Sequence, residues 1–210
     1  MTTRHLVIEG PIGVGKSSLA ALLSERLGAR LVLEKVEENP FLAKFYENPR
    51  RYAFQTQVFF LLSRYRQQLE VAQMDLFSGS TICDYFLAKD QIFASVTLSD
   101  DERALYDQLY NVLSPRLATP DLLIYLQAST ETLIRRIESR GRSFEKEIPR
   151  DYLDTINHAY NKFFFHYEQS PMLVIQTEAI DFVHNPADLD DLVAKIGSIK
   201  KGTHYYVPGK

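Results

Sequence analysis

The chain has a single cysteine, Cys83, in 210 residues, which excludes an internal disulfide. Its Cys and His residues do not fall at zinc-site spacings, so a structural metal is not expected. No apolar run reaches the ~18 residues that a membrane helix needs. The N-terminus has no leader pattern, and the cytoplasm is the expected compartment. Charge of one sign is not in excess either: 24 Lys and Arg against 27 Asp and Glu leave a net charge of -3. That balance gives no reason to expect nucleic acid or an anionic membrane as a partner. There is no internal repeat and no low-complexity linker. A hydrophobic share of 45% over 210 residues suits a single globular domain spanning 1–210.

The informative stretch stands near the start. His5-Leu-Val-Ile-Glu9 is a short apolar run, GPIGVGKS from Gly10 to Ser17 fits G-x-x-x-x-G-K-[ST], and Ser18-Leu-Ala-Ala-Leu-Leu reads as a helix start. Strand before and helix after is the context that a P-loop requires. Gly10, Gly13 and Gly15 permit a tight loop whose backbone N–H groups approach phosphate oxygens. Pro11, Ile12, Val14 and Ser18 complete the cradle, and the helix adds its positive end. Lys16 is expected to reach the β- and γ-phosphates of ATP and Ser17 to hold Mg²⁺. The alternative is a glycine turn with no ligand.

Downstream, short apolar runs alternate with helical patterns. Arg30–Leu33, Ser80–Cys83, Asp121–Leu126 and Met172–Ile175 read as strands two to five. With the first strand they predict an α/β fold: a five-stranded parallel sheet with helices on both faces. Glu34 follows the second strand, at the sheet edge where such folds bind ligands. It is a general-base candidate or a solvated loop carboxylate, and Glu37 and Glu38 are the more ordinary solvated ones. Asp84 follows the third strand and suits either Mg²⁺ or the N-cap of a helix from Tyr85 to Phe93. Asp90 on that helix faces either a ligand or solvent.

The span from Arg51 to Met74 predicts a long helix with Phe54, Val58, Leu61, Leu62, Tyr65 and Leu69 on one apolar stripe. Gln57 and Arg64 lie two turns apart, within about 20° of each other. They form either a base-reading pair or part of a solvated face. Ser99-Asp-Asp-Glu102 is a capping signature. Near the fourth strand, RRIESRGR places Arg136 and Arg140 one turn apart, with Arg142 beyond Gly141. This suits an arginine-rich lid over about 138–148 that grips phosphate, or else a solvated basic helix end. Tyr152–Tyr167 and Pro186–Ile199 read as the last helices, before a polar, tyrosine-bearing tail.

GPIGVGKSS, EKVEENPFL, Tyr46, Gln57 with Arg64, DYFLAKDQIFA and RRIESRGRSFEKEIP stand in the order seen in deoxynucleoside kinases. The chain resembles this family, in particular its bacterial deoxyadenosine/deoxyguanosine kinase branch, from about residue 5 to 182. The resemblance implies an ATP- and Mg²⁺-dependent enzyme that phosphorylates the 5′-hydroxyl of a deoxynucleoside in nucleotide salvage, as a homodimer. It implies that Glu34 takes the hydroxyl proton and that Tyr46 and Glu145 hold the 3′-hydroxyl. Gln57, Arg64 and Asp90 would read the base, with Phe93 packing on it. Arg136, Arg140 and Arg142 would contact phosphates, and Asp181 and Phe182 would lie beside the adenine of ATP. A carboxylate at Asp90 accepts from an exocyclic amine and disfavours the guanine carbonyl, so deoxyadenosine is expected over deoxyguanosine. One departure stands out. Much of the family has an arginine where this chain has Tyr85; the bacterial branch that it resembles carries Asp-Tyr here too, with a lysine where Lys89 stands, and Lys89 is expected to supply part of the missing charge. Two rivals share the P-loop: a thymidylate-type monophosphate kinase and a non-catalytic kinase-like subunit. The first would need further cations for the acceptor phosphate. The second would be expected to erode Lys16 or the lid arginines.

Overall fold

The computed structural model describes residues 5–74, 79–113, 119–145 and 148–207. Five strands, β1 (His5–Glu9), β2 (Arg30–Val32), β3 (Thr81–Cys83), β4 (Leu122–Gln127) and β5 (Met172–Gln176), form a parallel sheet at the predicted places. A sixth, β6 (Thr203–Tyr206), corrects the five-strand expectation, and the order is β2-β3-β1-β4-β5-β6. It escaped notice because it is an edge strand with only Tyr206 buried, so it carries no apolar run. Its signal was the β-prone Thr-His-Tyr-Tyr that follows Gly202.

Strand alternation feeds two cores. Leu6, Ile8, Leu122, Ile124 and Leu126 face the layer of α1 (Lys16–Leu27), α6 (Thr130–Arg140) and α8 (Pro186–Ser198). Val7, Cys83, Leu123 and Tyr125 face α4 (Lys89–Thr97) and α7 (Arg150–Phe165). Buried on both faces, these strands read as continuous apolar runs rather than alternating ones. The helix ends follow local chemistry: Ser129 Oγ accepts from Thr132 N–H at the start of α6, and Gly141, at φ 69°, closes it. Glu102 accepts from Ser99 N–H and Oγ at the start of α5 (Asp100–Leu113), as the capping signature predicts.

Two local expectations are corrected. The helix after β3 begins at Lys89 rather than Tyr85, so Asp84 caps no helix and both its oxygens serve other partners. A short α2 (Leu42–Glu47) precedes α3 (Pro49–Met74), whose predicted stripe is not its buried face. Of that stripe only Leu61 is buried, while Leu62 is 39% exposed. The helix instead turns Thr56, Gln57, Arg64, Gln67 and Gln68 inward. Those polar groups find partners there, such as Gln67 Nε2 donating to Leu33 O at 3.2 Å. A stripe argument assumes that the inner side of a helix is apolar, and this one roofs a polar site.

Candidate active site

Gly10 and Gly13 set the P-loop. A Cβ on Gly10 would stand 2.5 Å from the Leu126 carbonyl. On Gly13, at φ 82°, it would meet the Leu133 carbonyl at 2.9 Å. Only glycine permits both the positive φ and the close approach. The loop therefore lies tight against β4 and α6. Arg136 adds to this docking, because its Nη1 donates to Val14 O at 3.1 Å and to Thr177 Oγ1 at 2.7 Å.

A cleft of about 1110 Å³, its open mouth included, runs from the P-loop to an aromatic wall. Lys16, Ser17, Glu34, Asp84 and Lys89 line one end. Tyr46, Gln57, Phe93 and the lid residues Arg140, Arg142 and Glu145 line the rest. The wall also holds Phe60 and Tyr152. Their only signal was the density of aromatics around Tyr46 and Tyr152. Arg136, Asp181 and Phe182 lie outside this cleft. Phe182 packs in the core, and the Asp181 carboxylate accepts from Val183 and His184 N–H.

Glu34 is the electrostatic centre. Its Oε1 accepts from Arg64 Nε at 2.7 Å and from Arg64 Nη2, and its Oε2 accepts from Lys89 Nζ at 2.6 Å. Burial alone would raise its carboxyl, but the two cations outweigh burial and hold it at about 2. Lys89 thus supplies positive charge beside the carboxylate, as expected from the Tyr85 departure. Tyr85 itself is fully buried. Arg64 also pairs with Asp90 and lies 4.6 Å over the Phe60 ring. Asp90 does not face solvent: it is buried, pairs with Arg64 and is not among the residues that line the cleft.

Asp84 ties the halves together. Its Oδ2 accepts from Ser17 Oγ at 2.5 Å and its Oδ1 from Glu34 N–H at 2.6 Å. Two hard oxygens side by side at a phosphate loop fit Mg²⁺, which takes few protein ligands and keeps water and phosphate oxygens for the rest. No cluster of three or more acidic, His or Cys residues that could cage a metal occurs among the described residues.

The cations of the cleft are all engaged. Lys16 Nζ donates to Gly10 O at 2.7 Å and to Pro11 O at 3.0 Å. Arg140 Nε and Nη2 donate to Glu145 Oε2, and Arg142 pairs with Glu145 at 3.7 Å and with Glu37 at 3.3 Å. Of the predicted lid, residues 146–147 lie outside the described residues. Burial pushes the Lys16 ammonium down to about 8, against an opposing pull from Glu9. A lysine is charged below its pKa, so phosphate binding should be strong below pH ~8 and should weaken above it by at most about tenfold per pH unit. Calorimetry with ATP from pH 7 to 9 checks this, and a flat profile contradicts it.

The Deoxynucleoside kinase family model matches residues 6–200. The chain is 38% identical over 200 residues to a deoxyguanosine kinase of Bacillus subtilis (strain 168), covering 93% of this chain and 97% of that one. It is 31% identical over 202 residues to the deoxyadenosine/deoxycytidine kinase of the same organism, covering 92% of each. The deoxyadenosine kinase from M. mycoides with bound dATP superposes with a TM-score of 0.80 at 30% identity, covering 92% of this chain and 98% of that one.

Proposed function

Since this chain belongs to the deoxynucleoside kinase family, we propose that it transfers the γ-phosphoryl group of ATP to the 5′-hydroxyl of a purine deoxynucleoside. The observation that supports this most is Glu34. It is an anionic carboxylate at the junction of the P-loop and the aromatic pocket, held from two sides by Arg64 and Lys89. The nucleoside lies along the aromatic wall with its 5′-hydroxyl toward Glu34. Tyr46 and Glu145 bind the 3′-hydroxyl, and Phe93 packs on the base. The 5′-oxygen forms the new bond to phosphorus as the bond to the leaving ADP oxygen breaks, and the hydroxyl proton goes to Glu34. Lys16, Arg140 and Arg142 neutralise the charge on the moving phosphoryl group, and closing the cleft keeps water out. Mg²⁺, held by Ser17 and Asp84, would supply further charge neutralisation on the phosphates.

Base choice is where the reading changes most. The expected preference for deoxyadenosine rested on a free Asp90 carboxylate, and Asp90 is paired with Arg64. Gln57, which does line the cleft, carries an NH₂ donor group and a carbonyl acceptor and can face either purine by turning its amide. Deoxyguanosine and deoxyadenosine are therefore both proposed acceptors. A thymidylate-type acceptor is disfavoured, because Arg64 and Lys89 are taken up by Glu34 and Asp90. A non-catalytic role is disfavoured by the presence of Lys16, Arg140 and Arg142 in the cleft.

The proposal includes a homodimer. Leu62 of α3 and Leu105, Leu109 and Val112 of α5 are exposed apolar side chains, at 39%, 49%, 36% and 70%, and they suit such an interface. No described helix is long and apolar enough to cross a membrane, and the cytoplasm is the proposed compartment. The testing experiment is kcat/KM with ATP and Mg²⁺ for the four deoxynucleosides and thymidine monophosphate. Purine deoxynucleosides should lead, and turnover of the monophosphate alone would overturn the reading.

Lys89→Ala should lower kcat with the best acceptor by about tenfold to a hundredfold, the worth of one hydrogen bond to a buried charge. An unchanged kcat would show that Arg64 alone sets the state of Glu34.

A further inference from the structure

Glu9 is the buried carboxylate that the mechanism leaves unused. It ends β1 and is 0% exposed, yet it touches three elements. Its Oε1 accepts from Gly10 N–H of the P-loop at 2.9 Å and from Tyr160 Oη of α7 at 3.2 Å. Its Oε2 accepts from Phe86 N–H at 2.8 Å, in the turn between β3 and α4.

The position explains the need. Backbone pairing of β1 with β3 runs from His5 opposite Thr81 to Val7 opposite Cys83. Past that point the two chains diverge, one into the P-loop and the other into Asp84-Tyr85-Phe86. These are the segments that must stay in register for Ser17 to meet Asp84 at 2.5 Å and for Asp84 to hold the Glu34 N–H at 2.6 Å. The Glu9 side chain spans the gap with one oxygen on each segment. A buried carboxylate is costly unless its oxygens are satisfied, so a site that keeps one there gains geometry from it.

We propose that Glu9 is a positioning residue for phosphoryl transfer: its carboxylate clamps the P-loop to the Asp84–Phe86 turn and so fixes Asp84 between Ser17 and Glu34. This rests on the phosphoryl-transfer reading above. Glu9 touches no reacting atom and acts through Asp84.

Glu9→Gln tests it without opening a cavity. The amide has one acceptor oxygen, so its NH₂ must face either Gly10 N–H or Phe86 N–H, donor against donor, and the clamp opens. The variant should bind ATP in EDTA as tightly as the wild type or more tightly, since a negative charge near the phosphates is gone. The gain in ATP affinity on adding Mg²⁺ should be lost. With the best purine acceptor, kcat should fall about tenfold or more while the acceptor KM stays within about threefold. A folded variant with wild-type kcat and a wild-type Mg²⁺ response would overturn the proposal. So would a loss of ATP binding in EDTA as large as the loss in kcat, which would make Glu9 only a support of the loop. If the variant does not fold, hydrogen exchange on the wild-type protein decides. The Gly10 and Phe86 amides should be strongly protected, and a Phe86 amide exchanging at the rate of a free loop would overturn the clamp. If the wild type transfers no phosphoryl group, the reading above fails, while the two ATP-binding arms and the exchange data still judge the clamp.

Discussion

Exchanging Glu34 for glutamine is expected to lower kcat by about a hundredfold to ten-thousandfold, the range for losing a positioned base, with the KM for ATP little changed. The carboxylate is held at about 2, which makes it fully ionised at neutral pH but a weak base. That suffices for this chemistry. In a loose transition state the attacking oxygen becomes acidic only as its bond to phosphorus forms, so the acceptor has to take the proton late. The glutamine amide can still lie near the hydroxyl but cannot take its proton. It also leaves Lys89 and half of Arg64 without their anion, so a lower melting temperature should accompany the kinetic loss. The check is kcat on protein shown by circular dichroism to be folded. A loss below tenfold would remove Glu34 from the role of base.

Lys16→Ala should lower kcat about a thousandfold, in line with the loss of a preorganised charge on the transferred group. Lys16 rests on the carbonyls of Gly10 and Pro11, within its own loop. It can leave them for the phosphates while the loop, held by Leu126, Leu133 and Arg136, stays in place. Arg140 and Arg142 rest on Glu145 and Glu37 in the same way. They cannot replace Lys16, because they approach from the lid side of the cleft. Single-turnover transfer in the variant checks the prediction, and a rate within tenfold of wild type would contradict it.

Much of this site was legible in the sequence, for reasons that differ by residue. The P-loop is local: its glycines, Lys16 and Ser17 lie within one short segment between a strand and a helix. Glu34 and Asp84 could be placed because each directly follows a short apolar strand, and parallel sheets gather such ends at one edge. Lys89 could be suspected only because Tyr85 stands where an arginine was expected. What stayed hidden depends on which way a helix turns. Asp90 and Arg64 are far apart in sequence, so their pairing could not be read from it. The polar inner face of α3 defeats a rule that assumes apolar burial. Glu9 was hidden for a third reason: at the end of an apolar strand it reads only as the strand's boundary, and besides its neighbour Gly10 its partners, Phe86 and Tyr160, come from two distant segments.

The most direct test of the central claim follows the label from γ-labelled ATP to the acceptor. With Mg²⁺ and deoxyguanosine or deoxyadenosine, the wild-type protein should place the label on the 5′-oxygen. A 5′-deoxy analogue should yield no labelled nucleotide, and the Lys16→Ala variant should label it about a thousandfold more slowly. Label released only as inorganic phosphate, or found on the 3′-oxygen, would contradict the arrangement of Glu34, Tyr46 and Glu145 proposed for this site.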